Sequence, residues 1–396
     1  MIKRHMSASA DGNMLRQNMD AAYYSSGDLR LGGKQMIFDI SDREFMHIMQ
    51  DPKFSLPVRW DGRDFENAVS NLLDEYINEL RRSTKAYCPD INCYIGVDIG
   101  SIQFVCDLLK QCIREYHKGF PAVAFRTMAK VMNCLMKTPL RVYQKSGDLE
   151  PLEQDRLYLF RLRGINDAAK HTRKDVFHVP ACARSMISTC RYSIAGYPAL
   201  YLTTSIGLGL EEIGSTAANI LVSRFKIIRS QRKLNIRVLE LGIRPQDFYE
   251  KNREYNDRDL PVKDLRGIDL RNHHIRSCYL QWYPLIAACS FIRANKNTPF
   301  SSEYIIPQLL MQWVRKQIRR HELMGIRYFS CASIRAADLG LDYVFPVHNT
   351  NYQEGYCSIL RNSFSLTNPV YLRDYSTTDQ CEKYLISCAG ADFDKI

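Results

Sequence analysis

The stretch CRYSIAGYPALYLTTSIGLGLEE, residues 190–212, decides how the chain is read. Its turn SIAGYP sets Gly196 and Pro198 directly before a strand-like run, a rigid support for whatever precedes it. PALYLTTS (198–205) is that strand, and Glu211 and Glu212 close the stretch. Further short runs share this texture: LYLFRLR (157–163), LNIRVLELG (234–242), GIRYFS (325–330) and DYVFPV (342–347). One long helix is set among them, with Ile306, Leu309, Leu310, Trp313, Val314 and Ile318 on a single face. Ser301 or Ser302 is placed to cap it, and Pro307 falls in its first turns. Strands with helices inserted among them, and no regular βαβ series, predict an α+β domain over 146–396.

Upstream the texture is helical. Phe65, Val69, Leu72, Leu73, Tyr76, Ile77 and Leu80 form one apolar stripe at helical spacing. Ile102, Val105, Leu108, Leu109, Cys112, Ile113 and Tyr116 form a second, with Gly119 as its stop. Val123, Met128, Val131, Met132, Leu135 and Met136 form a third that Pro139 closes. A small helical domain is therefore expected over 56–145, joined by the polar linker YQKSGDLEPLEQDR (143–156). Residues 1–55 are polar and Met-rich without clear periodicity, and read as a loosely packed leader.

The 396 residues are 45% hydrophobic and 24% charged, the balance of a soluble globular protein. No apolar run reaches the roughly 18 residues of a membrane-spanning helix, and the early cations of MIKRHMSASADGNMLRQNMD precede no apolar segment, so a cytoplasmic protein without a signal peptide is expected. The 13 cysteines read as small buried hydrophobes of a reducing compartment. Cys88 and Cys93 are spaced more loosely than a zinc knuckle and lack a second pair, so no metal is expected. The net charge of +11 is compatible with a polyanion partner, nucleic acid included, although SRFKIIRSQRKLNIR (223–237) also reads as a solvated face. There is no internal repeat, P-loop or GxGxxG.

The chemistry gathers at 158–212, where Arg161, Arg184, Arg191, tyrosines and a carboxylate pair fall on strand ends and loops. Arginine forks bind a diphosphate bidentately, and a tyrosine face stacks on a flat cationic ring. A carboxylate stabilises the oxocarbenium-like state formed when a glycosidic bond breaks. NAD presents a pyrophosphate, a pyridinium ring and an N-glycosidic bond together.

These residues also resemble the RES domain, over roughly 155–350. Residues 190–212 look like its segment leading through Gly and Pro to an Ala-Leu-Tyr-Leu strand, with a glutamate eleven residues after the tyrosine; Tyr201 and Glu212 have that separation. LFRLR places Arg161 in the family's arginine position, and GIRYFS places Ser330 in its serine position. The resemblance implies an ADP-ribosyltransferase-like fold with a mixed or antiparallel sheet. It implies a toxin that cleaves the nicotinamide–ribose bond of NAD by hydrolysis or phosphorolysis, in a toxin–antitoxin or anti-phage setting. Catalysis would fall to Glu212, Arg161 and Ser330, and NAD binding to Arg161, Arg191, Tyr192, Tyr201 and Ser330. Arg191-Tyr192-Ser193 departs from the family's Gly-Arg-Phe/Trp-Asn, so one substrate hydrogen bond is lost. The partners implied are NAD, as substrate, and an antitoxin or trigger protein; the helical domain is expected to mediate self-association or sensing.

Plainer readings stand beside these. Arg161 and Arg163 alternate along one strand, so one faces solvent. Tyr201 also fits a core, Glu211 and Glu212 a helix's first turn, and His178 either a base or a structural histidine. His273 and His274 fall in a charged loop. Two rival activities remain: ADP-ribosyl transfer to a macromolecule, and RNA binding or cleavage.

Overall fold

The computed structural model describes residues 38–86, 94–138, 157–165, 171–214, 219–228, 237–249, 270–295, 297–317, 323–348 and 355–396. Strand β1 (Phe38–Ser41) runs straight into helix α1 (Asp42–Gln50). Ser41 and Glu44 cap that helix reciprocally: the Ser41 hydroxyl accepts from the Glu44 N–H, and the Glu44 carboxylate accepts from the Ser41 N–H. Phe45, Ile48 and Met49 are buried. Residues 38–54, expected within the leader, are therefore built into the core. A nine-residue helix has too few turns to register as a stripe against polar surroundings, and the Ser-x-x-Glu box was its legible mark.

The three apolar stripes form α2 (Phe65–Ser83), α3 (Ile99–His117) and α4 (Pro121–Leu135). Asp64 and Asp98 cap the first two by accepting from Asn67 and Ser101 N–H groups. Gly119 takes φ +86°, the left-handed geometry that lets the chain reverse between α3 and α4. Strands β2 (Lys85–Ala86) and β3 (Tyr94–Val97) flank β1 in a small antiparallel sheet.

The larger sheet contains β4 (Leu159–Gly164), β5 (Ala199–Thr203), β6 (Ile220–Ile227), β7 (Arg237–Leu241), β8 (Leu323–Phe329), β9 (Leu341–Pro346) and β10 (Phe364–Leu366), with β11 (Val370–Tyr371) against β6. Their order is β10-β6-β4-β5-β9-β8-β7, antiparallel except where β7 and β8 run together. The fold is thus α+β with a mixed sheet, as the strand pattern implied. Glu240 and Arg327, opposite each other on β7 and β8, form an ion pair with about 1% exposure for each residue. Around the sheet lie α5 (Ile206–Ile213), α6 (His273–Ala288), α7 (Ile305–Gln317), α8 (Ser358–Ser363) and α9 (Thr378–Ser387). The late stripe from Ile306 is α7, and Pro307 sits in its first turn.

Helix α6 was not foreseen, because it is buried on every side and so shows no stripe. His273 and His274, expected in a loop, form its first turn, which Asn272 caps by accepting from the His274 and Ile275 N–H groups. The polar tips of its side chains reach backbone carbonyls all around it. The Ser277 hydroxyl donates to Gly96 O (2.6 Å), Tyr279 to Ile243 O (3.3 Å), Trp282 Nε1 to Thr138 O (2.8 Å) and Tyr283 to Phe54 O (3.1 Å). Pro284 lies inside the helix and has no N–H, which leaves the Leu280 carbonyl without its helical donor. The Tyr76 hydroxyl of α2 donates to that carbonyl at 2.8 Å.

The boundary expected at 145/146 lies outside the described residues. On either side of it the core is shared: one apolar cluster runs from Ile40 through Leu73, Val105 and Tyr283 to Phe345. Tyr76→Phe keeps the ring and leaves the buried Leu280 carbonyl unpaired, so it should cost about 1–3 kcal/mol in urea unfolding. An unchanged midpoint would show that the carbonyl does not depend on Tyr76.

Candidate active site

Glu212 lies in the last turn of α5. Ser205 caps this helix by accepting from the Leu208 N–H (3.1 Å), and Gly214 ends it at φ +64°. A carboxylate at a helix C-terminus opposes the helix dipole, so the dipole does not explain Glu212 there. Its partner is Ser330, just beyond β8, whose hydroxyl donates to Glu212 Oε1. The same hydroxyl oxygen accepts from the Ala332 N–H at 3.1 Å. Ser330 is fully buried, while Glu212 is exposed. The serine holds the carboxylate from behind, and the carboxylate faces solvent.

Gly325 makes the strand beneath this contact possible. A β-carbon there would collide with the Val344 carbonyl oxygen and the Phe345 ring, so β8 can lie this close to β9 only without a side chain at that position.

Asp342, on β9, faces Thr203 of β5 and Tyr328 of β8 in register. It is 4% exposed, and its buried Oδ2 has no hydrogen-bond partner. Burial, with the nearby Glu212 charge behind it, raises its pKa well above the ordinary carboxylate range, while the Thr203 hydroxyl acts in the opposite sense.

The arginines approach from other elements. Arg161 on β4 donates to the Tyr201 carbonyl at 2.8 Å, while its buried Nε has no partner. Burial, with Arg163 nearby, draws its pKa down to about 10, which leaves it charged at neutral pH. Arg191 donates to the Cys289 carbonyl (3.1 Å) and lies over the Tyr304 ring, 5.1 Å from its centroid. The turn that carries it is held by Gln308 of α7, which donates to Cys190 O at 2.9 Å. Arg293 lies over the same ring at 5.4 Å, and its Nε is also buried without a partner. Arg191, Arg293 and Glu212 all act electrostatically on Tyr304, and Arg161, Arg293 and Glu212 on Cys190. Three cations and one carboxylate therefore border a common region.

The structure thus brings Arg161, Arg191, Tyr201, Glu212 and Ser330 together. Tyr201 is half-buried, with its hydroxyl 2.8 Å from that of Ser193. That contact occupies the Ser193 hydroxyl. Tyr192 is different: it is 1% exposed and packs on Tyr328 with ring centroids 4.7 Å apart. Expected at the substrate surface, it belongs to the core, because it is the member of Arg191-Tyr192-Ser193 whose ring turns inward. Arg293 and Asp342 were missed; nothing in SFIRANKN or DYVFPV marks them, since only the folded chain brings them to Glu212.

His178 is structural. Its Nε2 accepts from the Cys357 N–H (2.9 Å), so Nδ1 carries the proton and donates to Val179 O (2.8 Å). His273 Nε2 lies 3.2 Å from Asp42 Oδ2. Cys88 and Cys93 lie outside the described residues. No group of three or more metal-ligating side chains occurs among the described residues, and no described helix is long and apolar enough to cross a membrane.

The chain is 28% identical over 328 residues to a Bacillus subtilis (strain 168) protein named "Putative toxin YopC", an alignment covering 80% of this chain and 68% of that protein. No family model matches the chain, and no solved structure matches it. The RES resemblance therefore rests on the motif residues themselves.

Burial pushes the His178 pKa down to about 4. The unfolded chain then binds a proton below about pH 6.5 that the folded chain refuses, so stability present above that pH is lost as it falls towards 4. His178→Gln should flatten this part of the melting-temperature profile. A slope identical to that of the parent protein would exclude His178 as a source of acid lability.

Proposed function

We propose that this chain is a toxin that acts by splitting the nicotinamide–ribose bond of NAD. The observation that carries this reading is an exposed carboxylate, Glu212, held from behind by the buried Ser330 and bordered by Arg161, Arg191 and Arg293. The residues suit the substrate. The partnerless Nε donors of Arg161 and Arg293 are suited to diphosphate oxygens, and the half-buried Tyr201 offers a ring edge to the nicotinamide or its ribose.

In the reaction, nicotinamide departs with the electron pair of the glycosidic bond, and positive charge develops on the ribose. Glu212 stabilises that charge and orients the incoming water or phosphate, which bonds to the ribose carbon; with water, the released proton passes to Glu212. Ser330 fixes the carboxylate and does not touch the substrate. The toxin name of the Bacillus relative supports the biological half of the reading.

Purified protein mixed with NAD, with and without phosphate, should release nicotinamide. Glu212→Gln should lower that rate by roughly 10²–10⁴. Full turnover in the variant would discard the assignment.

A further inference from the structure

Helix α4 carries charge that its surroundings do not answer. No acidic residue occurs between Glu115 and Asp148, whereas Arg126, Lys130 and Lys137 all fall in that stretch. Arg126 and Lys130 lie on the helix and Lys137 in the turn that ends it, at intervals of four and seven residues, so the three share one face. That face is exposed, with Ala122 and Asn133 beside the cations, while Ala124, Met128, Val131, Met132 and Leu135 are buried on the other. At the helical rise of about 1.5 Å per residue, the row extends about 16 Å. Lys316 of α7 widens it: this exposed side chain sets its ammonium 4.9 Å from the centroid of the Phe125 ring.

The adjacent helix α3 treats its cations differently. Lys110 lies 2.5 Å from Asp74 and Arg114 3.1 Å from Glu66, and Lys118, just past the helix end, lies 3.3 Å from Glu115. Among the described residues, no carboxylate forms an ion pair with Arg126, Lys130, Lys137 or Lys316. Like charges four residues apart weaken a helix, and the helix dipole favours Lys137 but not Arg126 in the second turn. The stability of α4 therefore does not explain the row.

We propose that this face binds the phosphate backbone of a single-stranded nucleic acid, with Phe120 and Phe300 stacking on its bases. Phe120, at the head of α4, is 56% exposed, and Phe300 is 51% exposed. Phe300 stacks on Tyr116 in the last turn of α3, four residues before Phe120, so both rings stand at the end of the fold where the row begins. A cationic track joined to free aromatic faces holds unpaired strands with little regard to sequence. A lipid surface suits the face less well, because the apolar side of α4 is buried in the core and has nothing to insert. A stable protein interface is centred on an apolar patch, and the centre of this face is charged. Such binding is independent of NAD cleavage, since these residues lie on elements that carry none of the candidate site.

The test is fluorescence anisotropy of the full chain with a labelled single strand of mixed sequence, on the order of 20 nucleotides and so longer than one site. Log K should fall linearly with log salt at a slope of about −3, the value for four phosphates met by four cations. The triple variant Arg126→Gln, Lys130→Gln, Lys137→Gln should bring that slope to about −1 and weaken binding at least ten-fold at roughly 50 mM salt. These side chains are exposed, so its melting temperature should match that of the parent. Phe120→Ala with Phe300→Ala should weaken binding roughly ten-fold and leave the slope unchanged. Phosphatidylserine vesicles, poly-glutamate and a duplex of the same sequence serve as competing anions. Binding to any of these as tight as to the single strand, no binding to the strand at roughly 50 mM salt, or parent affinity in the triple variant would each overturn the proposal.

Discussion

Pro284 deprives the Leu280 carbonyl of its helical donor in the middle of the most buried helix, and the Tyr76 hydroxyl replaces it. A backbone oxygen far from water has few ways to be satisfied, so this bond sets where α2 must lie against α6. The other tips of α6 settle the positions of β3, the end of α4, the segment after β7 and the turn at Phe54 by the same device. The end of the helix reaches the candidate site, where the Cys289 carbonyl receives Arg191. The helical half of the chain is thereby tied to the chemistry of the sheet half through one rod of buried residues.

The site itself combines opposites. Ser330 is fully buried, while the Glu212 carboxylate it holds is exposed. Arginines from β4, from the turn before β5 and from the segment after α6 converge from three directions. No single element carries the arrangement, and only the sheet order places them together.

That explains how much was legible in the sequence. The stripes of α2, α3, α4 and α7 were plain from their helical period, and the short runs of β4, β5, β8 and β9 from their Leu, aromatic and β-branched composition, which survives in β8 and β9 even though both are buried throughout. Arg161, Tyr201, Glu212 and Ser330 were singled out through motif order. Helix α6 was invisible because burial on all sides erases periodicity, and α1 because it is short. Asp342 and Arg293 could not be read, since their significance lies in contacts between segments distant in the chain. Tyr192 was misplaced for a related reason: local sequence does not say which of three successive turn residues points inward.

Gly325 adds a genetic consequence. It has no polar group and touches no substrate, yet β8 can approach β9 only because nothing projects from it. Ser330, which meets Glu212, follows directly on β8, so its alignment is inherited from a missing side chain. Loss-of-function alleles of such a protein would therefore gather at a residue that an inventory of reactive groups passes over.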